Sequence, residues 1–145
     1  MKKNTKIIAG LAVMTVMISS SAMAAGRAEV SPFTDNISVH LSSNMPTLSI
    51  GYQSDNDVNI SGPSTVTAGT PKFPVRIFSD NELENGYTSM TLSVAGSQCQ
   101  FEFIDGPYTY LAYRSDNPPV CQHLSVSQIQ QDAQYQYHID VHYKK

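Results

Sequence analysis

The segment His138-Ile139-Asp140-Val141-His142 places two imidazoles and a carboxylate at alternate positions near the end of the chain. On a β-strand alternate side chains share a face, so His138, Asp140 and His142 project together. Imidazole and carboxylate are ligands for zinc and copper. The outer two histidines lie about 13 Å apart on an extended strand, too far for one ion to hold all three groups. An adjacent pair, such as His138 with Asp140, chelates only if another strand brings a third ligand. The same pattern describes the solvated face of an amphipathic strand. The sequence favours that reading and calls for no cofactor. Asp55-Asn56-Asp57 and the stretch 80–86 are rich in the oxygen donors calcium prefers. In the second, the glycine falls one position late for an EF-hand loop and no flanking helix is evident, so both read as solvated hairpin loops. The chain has no G-x-S-x-G elbow, H-E-x-x-H pair, phosphate-binding glycine loop or C-x-x-C. No residue is assigned a catalytic role, and the expectation is a non-enzymatic protein.

Two further groups carry potential. Tyr108, Tyr110 and Tyr113 lie just before Arg114. Tyrosine and arginine bury large areas with few torsions while keeping polar contacts, which favours them in recognition surfaces. These four are candidate partner-binding residues, with the core of a strand as the alternative for Tyr108 and Tyr110 if they share a strand face. Cys99 and Cys121 are the only cysteines. In an exported chain an isolated pair reads as a structural disulfide, and a catalytic thiol would need an activating neighbour that is not evident.

The elements that must position these groups are strands. Ile37, Val39 and Leu41 alternate with polar residues, as do Leu48, Ile50 and Tyr52, then Met90, Leu92 and Val94. Phe101 and Phe103 continue from Cys99. Tyr135, Tyr137, Ile139, Val141 and Tyr143 form the longest alternation. Each such run sets one face on a core and the other toward water. Turn signals at 44–46, 61–63, 68–71, 85–86, 105–107 and 117–119 separate them. The expectation is all-β, a single β-sandwich over residues 37–145, with at most one helical turn between Val126 and Asp132. Asp132-Ala133-Gln134-Tyr135-Gln136-Tyr137 resembles in part the D-x-A-x-Y corner of immunoglobulin-like domains, with Gln134 in place of the usual Gly or Ser beside the alanine, which implies an Ig-like sandwich. The polar segment 25–36 reads as a mobile lead.

Residues 1–24 read as a cleavable signal peptide. Lys2, Lys3 and Lys6 form a cationic start, Ile7 to Ile18 an apolar run of 12 residues, and Ala22-Met23-Ala24 a small-x-small cleavage site. The run is short of the roughly 20 residues needed to span a bilayer, and no later stretch is long and apolar enough. Removing 24 of 145 residues leaves 121, a single-domain length. Three of the nine basic residues leave and all twelve acids stay, moving the formal charge from −3 to −6. That balance argues against a nucleic-acid partner. The expected location is periplasmic, cell-surface or secreted, with no integral membrane segment after cleavage.

The stretch Gln131 to Lys145, an alternating tyrosine-rich strand ending in Val141-His142-Tyr143, resembles that of chaperone–usher fimbrial subunits. It departs from them in lacking a glycine before the final strand and in carrying its cysteines late. The resemblance implies an incomplete Ig-like fold whose missing strand comes from a chaperone and then from the next subunit. Ile37, Val39 and Leu41 are then the strand-exchange candidates, and other copies, assembly factors or a cell-surface receptor the expected partners. The competing expectation is a self-contained secreted or periplasmic binding protein, such as an inhibitor, toxin accessory or metal-binding module.

Overall fold

A computed structural model describes residues 33–55, 58–79, 86–106 and 109–145. The segment read as a signal peptide and most of the lead lie outside these residues. In chain order the strands are β1 (Phe33–Leu41), β2 (Leu48–Gln53), β3 (Asn59–Ser61), β4 (Thr65–Val66), β5 (Lys72–Ser79), β6 (Gly86–Val94), β7 (Ser97–Gly106), β8 (Thr109–Tyr113), β9 (Leu124–Val126), β10 (Gln130–Ala133) and β11 (Gln136–Tyr143). Among the described residues there is no helix, hence none long and apolar enough to cross a membrane.

Two sheets form. The first has the order β10-β11-β1-β5-β3, with β9 also paired to β11; the second runs β4-β2-β6-β7-β8. Their apolar faces meet in a sandwich-like arrangement around a single core. Phe101, Phe103, Met90 and Leu92 enter it from the second sheet, Ile37, Val39, Ile77 and Ile139 from the first. Strand alternation and burial agree closely: β5 reads exposed, buried, exposed, buried through most of its length.

The hairpin between β6 and β7 is closed by Ala95 and Gly96, both at positive φ (49° and 79°). That is the backbone of a two-residue primed turn, whose twist matches the strands it joins. It keeps β6 and β7 in register from Val94↔Ser97 through Gly86↔Asp105. Cys99 on β7 is disulfide-bonded to Cys121, in the segment leading to β9, with a Cα–Cα separation of 5.5 Å. The bridge ties that segment to the buried face of β7.

Three expectations change. Segment 126–132 makes no helical turn: Val126 ends β9 and Gln130 opens β10. Its backbone is taken up by β11, with Ser127 N donating to the Asp140 carbonyl at 2.9 Å and Asp140 N donating to Ser127 Oγ at 2.9 Å. The lead is shorter than 25–36, because β1 already begins at Phe33. Phe33 and Asp35 share the buried face with Ile37 and Val39, and a carboxylate on that face hides the alternation. Strand β5 lies where no strand was anticipated; Pro74 interrupts a run of Phe73, Val75 and Ile77 that is otherwise strictly period two. Proline is tolerated there because the β3–β5 ladder ends at Ser61↔Arg76, so no ladder bond from β3 calls on the missing N–H of Pro74.

Candidate functional site

Strand β1 lies between β11, to which it is parallel, and β5, to which it is antiparallel. The other edge of β11 is occupied by β10 along its first half and β9 along its second. Both edges of the last strand are therefore paired within the chain. The register of the β1–β11 seam is Asn36↔Gln136 through Leu41↔Val141. Hydrogen bonds close each end: Asn36 N donates to the Tyr135 carbonyl at 2.9 Å, and Tyr143 N donates to Ser42 Oγ at 3.0 Å.

The two faces of this seam differ in chemistry. Inward, Ile37 is beside Tyr137 and Val39 beside Ile139, all buried, with Leu41 packed at the margin of the core. Outward, Ser38 is beside His138 and His40 beside Asp140. The His40 and His138 rings stack with centroids 4.9 Å apart and planes 12° from parallel. His40 Nδ1 lies 3.3 Å from Asp140 Oδ1, and His138 Nε2 lies 4.0 Å from Asp140 Oδ2. His138 Nδ1 is held by Asp132, at 2.7 Å from Oδ1 and 2.9 Å from Oδ2. One ligand atom from each of His40, His138 and Asp140 lies within 4.8 Å of the others. Among the described residues this is the one group of three or more His, Cys, Asp or Glu side chains so arranged.

His142 is not in that group. It is exposed and pairs with Ser125 of β9. Its place is taken by His40, which no reading along the chain connects to His138; only the parallel register of the first and last strands does so. Asp132 was read as a corner residue. Instead the β10–β11 turn is made by Tyr135 at a φ of 61°, and the Asp132 carboxylate reaches outward to the imidazole.

The four residues read as a partner surface divide. Tyr108 lies outside the described residues. Tyr113 is a core residue and not a surface one: it is buried, stacks on Phe103 at 5.9 Å, and its hydroxyl donates to the Ser127 carbonyl at 2.9 Å. Tyr110 is half-buried on the same strand. Arg114 is exposed, its guanidinium 4.4 Å from the centre of the Tyr87 ring. It lines a shallow polar hollow with Asp55 and Glu102. Tyr113 and Arg114 therefore do not form one recognition surface. Of the oxygen-rich loops, Asp55 and Gly86 are described; Asp55 Oδ2 accepts from Tyr87 N at 3.4 Å.

Tyr52 gives the domain an alkaline limit alongside Tyr113. Its hydroxyl donates to the Pro63 carbonyl at 3.0 Å, in a space where a Cβ on Gly62 would collide with the phenol oxygen. Burial pushes the Tyr52 phenol from 10 up to about 12 and pushes Tyr113 higher still. In the unfolded chain both ionise near 10, so above that pH the unfolded state binds fewer protons than the folded one. The stabilisation is complete below pH 10 and is lost as pH rises through the folded values. Urea midpoints should be flat from about pH 7 to 9 and fall from pH 10 toward 12. Tyr52→Phe and Tyr113→Phe should each make that fall shallower.

Comparison with protein-family models, with curated proteins and with solved structures finds no match to this chain. The seam's geometry is therefore the ground for any functional reading.

Proposed function

We propose that the chain is an exported structural or adhesive module with an Ig-like sandwich, of the fimbrial-subunit type, in which β1 is an exchangeable strand. The observation that carries this reading is the position of β1. It is the first described strand, and it lies between β11 and β5 with its apolar residues alternately buried. Without it, Tyr137, Ile139 and Val141 on one side and Phe73, Val75 and Ile77 on the other would border an open apolar groove. The β1 of another copy carries the same residues in the same order, so it fits that groove by β-strand addition. Head-to-tail exchange of this kind generates open chains of subunits. The disulfide supports an oxidising location, and residues 1–24 supply the export signal. The function is binding and assembly, without catalysis, with other copies, assembly factors or a cell-surface receptor as partners.

A second reading is favoured by the pairing of both edges of β11 within one chain: a complete sandwich that acts alone as a periplasmic or secreted binding protein. The two separate on one experiment. A chain truncated before Ser42 is refolded with and without a peptide spanning 25–43. Under the exchange reading the truncated chain is recovered as a soluble 1:1 complex that unfolds cooperatively. If no peptide concentration restores cooperative unfolding, exchange fails and the self-contained reading stands.

A further inference from the structure

The outward face of the seam carries chemistry that strand exchange does not use. We propose that His40, His138 and Asp140 bind a divalent cation of the zinc type, with Asp132 as the residue that positions His138. The proposal rests on the cis geometry alone and holds whether or not β1 ever leaves its own sheet.

Four observations lead to it. First, the donor set is two imidazoles and a carboxylate, which suits zinc, copper(II) or nickel and not the all-oxygen preference of calcium and magnesium. Second, the spacing is close to a coordination sphere. Ligands bonded at about 2.0 Å in a tetrahedron stand about 3.3 Å apart, and His40 Nδ1 and Asp140 Oδ1 are 3.3 Å apart. The three ligand atoms lie within 4.8 Å of one another, and they close on one ion by rotation of side chains that are not packed into the core. Third, the histidine is already oriented. The Asp132 carboxylate can only accept, so it calls for the proton on His138 Nδ1 and turns Nε2, the nitrogen a cation would take, toward Asp140. A carboxylate bonded to the far nitrogen of a ligating imidazole fixes both tautomer and ring plane. Fourth, the backbone positions are held by strands paired on both sides, β1 between β11 and β5 and β11 between β1 and β10, so binding orders little main chain.

The ligands come from two strands. His40 belongs to β1 and the other two to β11, with the positioning carboxylate on β10. A bound cation therefore links the first strand to the last and leaves a fourth position open to water or to a donor from another molecule. Binding to the folded state alone stabilises it by RT ln(1 + [ion]/Kd), so the unfolding temperature rises with the logarithm of ion concentration once the site is filled.

The test uses the untagged full-length chain after signal removal, stripped with a chelator and titrated with zinc chloride by calorimetry. The expected result is one site per chain with micromolar affinity and a higher unfolding temperature in the presence of zinc. His40→Ala, His138→Ala and Asp140→Asn should each weaken binding at least about tenfold, and His142→Ala should leave it unchanged. His40→Gln, nearly isosteric, guards against a loss caused by misfolding, which circular dichroism of every variant also reports. Asp132→Asn should weaken binding about ten- to a hundredfold and change the His138 imidazole 15N shifts from the single Nδ1–H tautomer to a mixture. Absence of binding in the wild type at 100-fold excess zinc overturns the proposal. So does binding that survives both His40→Ala and His138→Ala, or that disappears with His142→Ala.

Discussion

Val39→Asp should leave the domain without a cooperative unfolding transition. Val39 is fully buried at the centre of β1, beside Ile139 of β11 on one side and Phe73 of β5 on the other. The substitution removes about 1.5–3 kcal/mol of valine burial. It also places a carboxylate between Ile139 and Phe73, four residues along that face from Asp35, which costs several kcal/mol more unless the carboxyl takes up a proton. The sum, about 5 kcal/mol or more, matches the lower end of the whole stability of an ordinary domain. Ser38→Asp, one residue away on the outward face, is the matched comparison and should shift stability by about 0.5 kcal/mol or less. Urea denaturation followed by circular dichroism reads both. A normal transition for Val39→Asp would mean that β1 is dispensable to the sheet.

The second large effect is expected from the disulfide. Replacing Cys99 and Cys121 together by alanine opens a loop of 22 residues, which costs about 3 kcal/mol on the chain-entropy account. Cys99 is also 2% exposed, on the core face of β7 opposite Leu92, so its truncation adds a packing loss. Cys121 lies outside every strand and contributes mainly through the bond. The double variant should therefore lower the urea midpoint and steepen the slope, because the unfolded chain without its cross-link exposes more surface, and reduction of the wild type should reproduce most of that fall. An unchanged midpoint after complete reduction would show that the segment before β9 is held by other contacts.

The legible part of the fold was what side-chain period encodes. β2, β6, β7 and β11 follow from alternation in Leu48–Tyr52, Met90–Val94, Cys99–Phe103 and Tyr135–Tyr143, because each of these strands has one core face, although Tyr135 itself falls in the turn before β11. The pairing of Cys99 with Cys121 followed from there being two cysteines. Obscured were elements where one residue contradicts the local pattern: the buried Asp35 at the start of β1, and Pro74 within β5. Tyr113 looked like a recognition residue because its type suits a surface; its burial depends on Phe103, in another strand.

The candidate site was half legible for a different reason. His138 and Asp140 share a strand face, and period two finds them. His40 joins them through a parallel register between strands from opposite ends of the domain, and parallel neighbours leave no turn in the sequence to announce them. A missing third ligand from another strand was identifiable as a requirement. Its identity was not.

β1 fills the space between β11 and β5, and under the proposed strand exchange the β1 of a second copy fits the same groove. Asn36 and Gln136 are register partners across the seam. A chain carrying Asn36→Cys and another carrying Gln136→Cys, denatured together, refolded at high concentration and treated with a short thiol cross-linker, test it directly. The account predicts covalent dimers joining the two variants, and ladders of higher species when both cysteines are in one chain. Refolded mixtures that yield no cross-linked dimer, together with complete intrachain linkage in the double-cysteine chain, would contradict it.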